Sequence, residues 1–262
     1  MNALPFSRRQ FVTVSFWLVF AVLACGPMPL RAALPADHIK TSQGDLAIYP
    51  MNHASLVTSW NGKTIYVDPV GGAKQYSALL TPDLILITDI HGDHLHPDTL
   101  LGIVRDQTTI LAPEAVAEKL PDALRKKTKV IMNGQSAEVV GAKIEAVPMY
   151  NLTQDRLNYH PKGRGNGYVV TLGGKRIYIS GDTEDIPEMR QLKNIDVAFV
   201  CMNLPYTMDI NQAASAVLEF KPKIVYPYHS RGSDVEKFRE MVSKDSTIEV
   251  RLRDWYKASP GG

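Results

Sequence analysis

The sequence predicts an α/β protein of αββα order, with two β-sheets packed together and helices outside them. Three observations carry this. Short apolar strands alternate with turns and helices from about residue 44 onward. Strand signals fill both halves of the chain, each half with its own helices. No Pro/Gly/Ser-rich linker divides the halves, so residues 34–262 read as one domain.

Residues 63–67 form the first clear strand, ending at Asp68-Pro69. Residues 84–88 are a continuous apolar run, suited to a strand buried on both faces. Residues 97–104 and 113–120 follow as helices, each with proline in its first turn. Residues 143–149 read as a strand, and residues 168–172 and 176–180 flank Gly173-Gly174, a strong hairpin signal. Two more buried strands are expected at 196–202 and 223–228. Between them Asp209 caps a helix, with Gln212 three residues on and an apolar face of Ile210, Ala213, Ala214, Val217 and Leu218. The last helix opens on a Ser233/Glu236 capping box and buries Val235, Phe238 and Met241 or Val242; residues 248–252 are a final strand.

Residues 1–33 are of a different kind. They hold Arg8, Arg9 and Arg31, no acid, and an apolar run from Val12 to Leu23 that suits the core of a signal peptide. Ser7-Arg8-Arg9-Gln10-Phe11 resembles a twin-arginine export signal, which implies a periplasmic protein. Cleavage after Ala32 or Ala33 competes with a lipobox reading of Val22-Leu23-Ala24-Cys25, in which a lipid on Cys25 is the sole membrane link. Without the leader the 29 basic and 27 acidic residues become 26 and 27. The slight basicity therefore belongs to the leader and gives no support to nucleic-acid binding. Cys201 is then left without a disulfide partner and, set in an apolar strand, reads as a buried inert thiol.

The histidines carry the chemistry. His91, His94, His160 and His229 all follow expected strands, and Asp68, Asp89, Asp93 and Asp182 sit at comparable strand ends. A rigid sheet can hold ligands in such loops within about half an ångström of where they are needed. Imidazole and carboxylate with almost no thiolate suit zinc, manganese or iron at a hydrolytic centre. His96 reads as a helix-start residue, and His38 as solvated. His53 is open between a site residue and a hydrogen-bonded strand histidine. Lys162 and Arg164 are open between anion binding and simple exposure, and Asn203 and Tyr206 are candidates to line a pocket. Gly163, Gly165 and Gly167 precede a strand and make no dinucleotide fingerprint.

In order along the chain, Asp68, Asp89-Ile90-His91-Gly92-Asp93-His94, His160, Asp182 and His229 resemble the metallo-β-lactamase superfamily, whose motifs are Asp, His-x-His-x-Asp-His, His, Asp and His. Asn52-His53-Ala54-Ser55, Tyr150-Asn151, His160-Pro161-Lys162-Gly163, Gly181-Asp182-Thr183 and Pro227-Tyr228-His229 are most similar to the branch of ascorbate-6-phosphate lactonase and N-acylphosphatidylethanolamine phospholipase D. The resemblance implies the αββα metallo-β-lactamase fold and one or two divalent ions, zinc first, with manganese or iron as alternatives. It implies a first site of Asp89, His91 and His160, a second of Asp93, His94 and His229, and Asp182 bridging them. Asp93 or Asp182 would take the proton from water, and Asp68 would orient a ligand. The implied activity is hydrolysis of a small ester, lactone or phosphodiester by a metal-activated hydroxide. The sequence departs from the pattern at Asp89, which replaces the first histidine. A carboxylate there either ligates, favouring manganese or iron, or turns away and leaves one metal. The alternative function is a non-catalytic metal-binding envelope protein that keeps the fold.

Overall fold

Tyr66 and Ile85 show why the chain folds in layers. Their neighbours Ile65, Val67, Leu84 and Leu86 pack between two sheets, while Tyr66 and Ile85 point the other way, under helices. The period of two along each strand thus divides one apolar run between two cores. The computed structural model describes Met1 and residues 34–256; the expected leader and Cys25 lie outside the described residues.

The first sheet contains β1 (Asp37–Thr41), β2 (Gly44–Asn52), β3 (Ser55–Trp60), β4 (Lys63–Val67), β5 (Leu84–Leu86), β6 (Thr109–Ala112) and β7 (Thr128–Val130), in that spatial order. The second contains β8 (Ser136–Val139), β9 (Ala142–Met149), β10 (Gly165–Leu172), β11 (Lys175–Ile179), β12 (Val197–Cys201), β13 (Ile224–Tyr228) and β14 (Glu249–Val250), also in sequence order. Each sheet begins as an antiparallel meander and becomes parallel, at β4 in the first and β11 in the second. Helices α1 (Pro97–Ile103), α2 (Glu114–Lys119) and α3 (Asp122–Arg125) cover Val57, Tyr66, Ile85 and Ile110 on the outer face of the first sheet. Helices α4 (Pro187–Arg190), α5 (Ile210–Phe220) and α6 (Val235–Val242) pack on the second through Met189, Ala213, Val217 and Phe238. The result is the expected αββα sandwich. The β10–β11 hairpin turns at Gly173-Gly174 with φ of 59° and 74°, the left-handed pair that a two-residue turn needs.

Several expectations shift. The strand expected at 84–88 stops at Leu86, because the Thr88 amide donates to the Asp68 carboxylate (2.8 Å) instead of to a strand. The 113–120 helix starts after Pro113 and ends at Lys119, where Leu120 is extended ahead of Pro121. Asp234, not Ser233, caps α6: its carboxylate accepts from the Lys237 amide, while the Ser233 hydroxyl donates to the Met202 carbonyl. The Ser233/Glu236 capping box is therefore absent, and Glu236 pairs with Arg239. Leu218 is half-buried rather than core; Ala216 and Phe220 are buried in its place. The final strand is only Glu249–Val250. Strands β1 to β3 and β6 to β8 and helices α3 and α4 were not expected. The Asp209/Gln212 capping box on α5 is present, with Asp209 Oδ1 accepting from both the Asn211 and Gln212 amides at 2.8 Å. Asp209→Ala is expected to lower stability by about 1 kcal/mol, read as a shifted urea midpoint at unchanged slope.

Strand direction decides where the site lies. β2, β4 and β5 run the same way in the first sheet, as do β9, β11, β12 and β13 in the second. Residues just past their ends gather at one edge of the sandwich, as the crevice rule for open α/β sheets anticipates. Tyr168 and Asn166 tie the sheets there: the Tyr168 hydroxyl donates to Ile87 O (2.8 Å), and the Asn166 amide to Thr88 O (2.9 Å).

Candidate metal centre

Asp68 follows β4, Asp89 to His94 follow β5, His160 lies within the loop between β9 and β10, Asp182 follows β11 and His229 follows β13. Three residues at this edge, His53, Asp68 and His229, have left-handed φ of 49°, 43° and 44° without being glycine. Each such conformation costs of order 1–3 kcal/mol, so the surrounding structure must impose it. Backbone bonds do so: Asp68 N donates to Leu86 O, His53 N to Trp255 O, and His229 N to His53 O, all at 3.0–3.1 Å. Gly181 orients Asp182 with φ 60°; a Cβ there would come within 2.4 Å of Met149 Sδ.

Asp182 is the hub. Its Oδ2 lies 3.2 Å from His94 Nε2 and 3.3 Å from His160 Nε2, and its Oδ1 lies 3.3 Å from His229 Nε2. All four residues are buried. Yet His94 Nε2, His160 Nε2 and Asp182 Oδ1 make no hydrogen bond among the described residues. Buried polar atoms without partners are rare and costly, typically about 1–3 kcal/mol each. A cation between these atoms would give all of them a partner at once. The donor set fits: Asp89, His91 and His160 present ligand atoms within 4.8 Å of one another, and so do His94, Asp182 and His229.

Behind His94 stands Asp68. Its Oδ2 is 2.8 Å from His94 Nδ1 and accepts the Thr88 hydroxyl at 2.6 Å, while Oδ1 takes the Thr88 amide. With Nδ1 held by this carboxylate, Nε2 is the ring nitrogen turned toward Asp182. Burial pushes the Asp182 carboxyl up, but the imidazoles of His229, His94 and His160 gathered around it outweigh that and hold the group well below its usual range. Burial likewise pushes Asp93 up, and hydrogen bonds from His229 and His53 carry it well below. Both carboxylates are therefore anionic and ready to bind a cation.

Asp89 lies at the first cluster as expected, with Oδ2 2.8 Å from His91 Nδ1 and 4.0 Å from His160 Nε2. It also has a partner that the sequence left open: Arg164 donates through Nε to Oδ1 (3.1 Å) and through Nη2 to Oδ2 (3.0 Å). Burial raises the Asp89 carboxyl, but the His91 hydrogen bond and the charges of His94, Arg164 and His91 bring it down to about 2.

His53 belongs to the site, which the sequence left undecided. Its Nε2 is 3.3 Å from Asp93 Oδ2 and its ring stacks 3.8 Å from that of His229. The Tyr256 hydroxyl accepts from the Ser230 amide (2.8 Å), leaving its own proton for His53 Nδ1 at 2.9 Å. His53 Nε2 then carries the proton that it donates to Asp93 Oδ2. Asp93, with its side chain 43% exposed, faces a cleft of about 630 Å³. Tyr159, Asn203, Leu204, Pro205, Tyr206 and Arg231 form the outer wall of that cleft, so Asn203 and Tyr206 are pocket residues. Other candidates settle elsewhere. His96 caps α1, accepting from the Thr99 amide. Lys162 is exposed and pairs with Glu188 and Tyr150. Cys201 is buried, which pushes its thiol up to about 12 and leaves it inert.

Comparison with known proteins agrees with this geometry. A family model described as a beta-lactamase superfamily domain matches residues 47–229, a span that runs from β2 to His229. A UPF0173 metal-dependent hydrolase of Thermococcus onnurineus is 32% identical over 201 residues, covering 72% of this chain and 88% of that protein. A crystal structure of a protein from Parabacteroides distasonis is 42% identical, covering 86% of this chain and 100% of that one, with a TM-score of 0.78. Igni18, a metallo hydrolase of Ignicoccus hospitalis, shares the fold at 23% identity and a TM-score of 0.67, covering 81% of this chain and 96% of that one. Fold, matched span and motif order coincide, and the chain belongs to the metallo-β-lactamase superfamily.

Proposed function

We propose that the protein is a metal-dependent hydrolase acting on a small ester, lactone or phosphodiester. The observation that carries this is the set of buried, unpartnered ligand atoms of His94, His160 and Asp182, of which His160 and Asp182 line an open cleft. Asp89, His91 and His160 would hold one divalent ion and Asp93, His94 and His229 a second, with Asp182 between them; zinc suits the donors first, and manganese or iron also fit. A bound cation supplies Lewis acidity and makes water a competent nucleophile near neutral pH.

The side chains do the rest. Asp182 and Asp93, both anionic, are placed to draw the proton from the attacking water, and the His53 Nε2 proton donated to Asp93 Oδ2 orients that carboxylate. Tyr256 holds the His53 ring in that orientation. Tyr159, Leu204 and Tyr206, each part-exposed at the rim, offer apolar surface to the substrate body. Arg231, lying over the Tyr256 ring, supplies positive charge at the same wall. Arg231→Ala is expected to raise KM about tenfold for anionic substrates and leave it within about twofold for neutral ones, checked by steady-state kinetics on matched pairs.

The reading is tested by assaying the metal-loaded protein on aryl esters, lactones and an aryl phosphodiester. Turnover of at least one class, abolished by chelation and restored by metal, is expected. Metal binding without turnover of any class would assign the non-catalytic metal-binding role instead. Residues 1–33, read as a twin-arginine leader, would place the activity outside the cytoplasm. Replacing Arg8 and Arg9 together by lysine is expected to retain the protein in the cytoplasm, scored by fractionation. Among the described residues no helix is long and apolar enough to cross a membrane.

A further inference from the structure

The two ligand clusters differ in what stands behind them. Behind His94 in the second cluster is the buried carboxylate of Asp68, which strengthens the imidazole as a donor. Behind Asp89 in the first cluster is a cation. The Arg164 guanidinium grips both Asp89 oxygens, accepts no competitor for that position, and is anchored by donating to the Tyr159 carbonyl at 2.5 Å. Its Nη2 also comes within 3.5 Å of His91 Nε2, so it touches two of the three groups in that cluster. The oxygen that faces His91 and His160 is Asp89 Oδ2, the same oxygen that takes the Arg164 Nη2 hydrogen bond.

The backbone brings Arg164 this close. Gly163 turns the chain with φ 87°, and at Gly165 a Cβ would meet Met149 Cε at 2.2 Å and Thr88 O at 2.9 Å. A bidentate, charge-assisted pair is persistent here, because the Asp89 side chain is fully buried and has no water as a substitute. A cation at the first cluster must therefore share Asp89 Oδ2 with a fixed positive charge, whereas one at the second is favoured by Asp68.

We propose that Arg164 makes the first cluster a weak, exchangeable metal site and the second a tight one, with Asp89 and Arg164 together replacing the neutral imidazole of the family pattern. The pair has no net charge, as an imidazole has none, but its carboxylate is already spent in part on the guanidinium. This inference rests on the metal-centre reading above. Arg164 is a positioning residue here: it acts on the cation through Asp89.

The test is zinc titration of the full mature protein against a chromophoric chelator, with bound metal counted by elemental analysis after dialysis. The wild type is expected to keep one ion through dialysis and to take a second at least tenfold more weakly. His160→Ala should remove the weak step alone. Arg164→Met should tighten the weak step at least tenfold, while Arg164→Lys, which keeps the charge, should stay within about threefold of the wild type. Two equally tight ions in the wild type would overturn the inference without any variant, as would loss of the tight step in His160→Ala or an unchanged weak step in folded Arg164→Met. A wild type that binds no zinc would instead sink the metal-centre reading itself.

Discussion

Asp182→Asn is expected to lower hydrolysis by about 10³-fold and to strip the centre of tightly bound metal. Among the described residues Asp182 alone reaches His94, His160 and His229, with all three separations at 3.2–3.3 Å. The amide keeps the shape and removes the negative charge that lets three imidazoles converge on one buried point. It also turns one oxygen into an NH₂ group, which donates where a ligand must accept. The protein should remain folded, since the core around β11 and β12 is untouched, and circular dichroism checks this. Full activity with retained metal in the amide variant would show that Asp182 is not the hub.

Asp68→Asn is the second large effect, and it acts at one remove. Asp68 touches no cleft; it is buried behind His94 between the Thr88 amide and hydroxyl. An asparagine can accept from only one of its two terminal atoms, so Thr88 and His94 compete for the remaining oxygen. His94 loses the partner that keeps its proton on Nδ1, and a proton on Nε2 blocks the ligand lone pair. Metal affinity is expected to fall about 10- to 100-fold, as for other groups that orient metal-binding histidines. Loss of a buried charge-assisted bond costs about 1–3 kcal/mol, so the melting temperature should drop by about 3–8 °C. A variant with lower stability and unchanged metal affinity would make Asp68 purely structural.

The sandwich and the metal cluster were legible for different reasons. Buried strands such as Leu84–Leu86 and Val197–Cys201 announce themselves as apolar runs, and Gly173-Gly174 marks its own turn. His91, His94, His160, Asp182 and His229 stand at strand ends, so placing the strands places the ligands. The edge strands β1, β7 and β8 are short and half-exposed, with no alternation strong enough to read. The cap of α6 failed because Ser233 and Asp234 are both good caps; only the Met202 carbonyl, which claims the Ser233 hydroxyl, decides between them. His53 and Arg164 were undecided because their partners are distant. His53 meets His229 and Tyr256, and Arg164 meets Asp89 across 75 residues. No local period encodes such a meeting; it follows from β2 and β9 running parallel to the strands that carry the ligands.

The most direct test of the metal-dependent hydrolase reading is a chelation and reconstitution cycle on the wild-type protein, following bound transition metal and turnover in one sample. Metal and hydrolysis should disappear together and return together as zinc, manganese or iron is added back, with turnover tracking occupancy of the His94–Asp182–His229 cluster. Hydrolysis that persists in metal-free protein would contradict it.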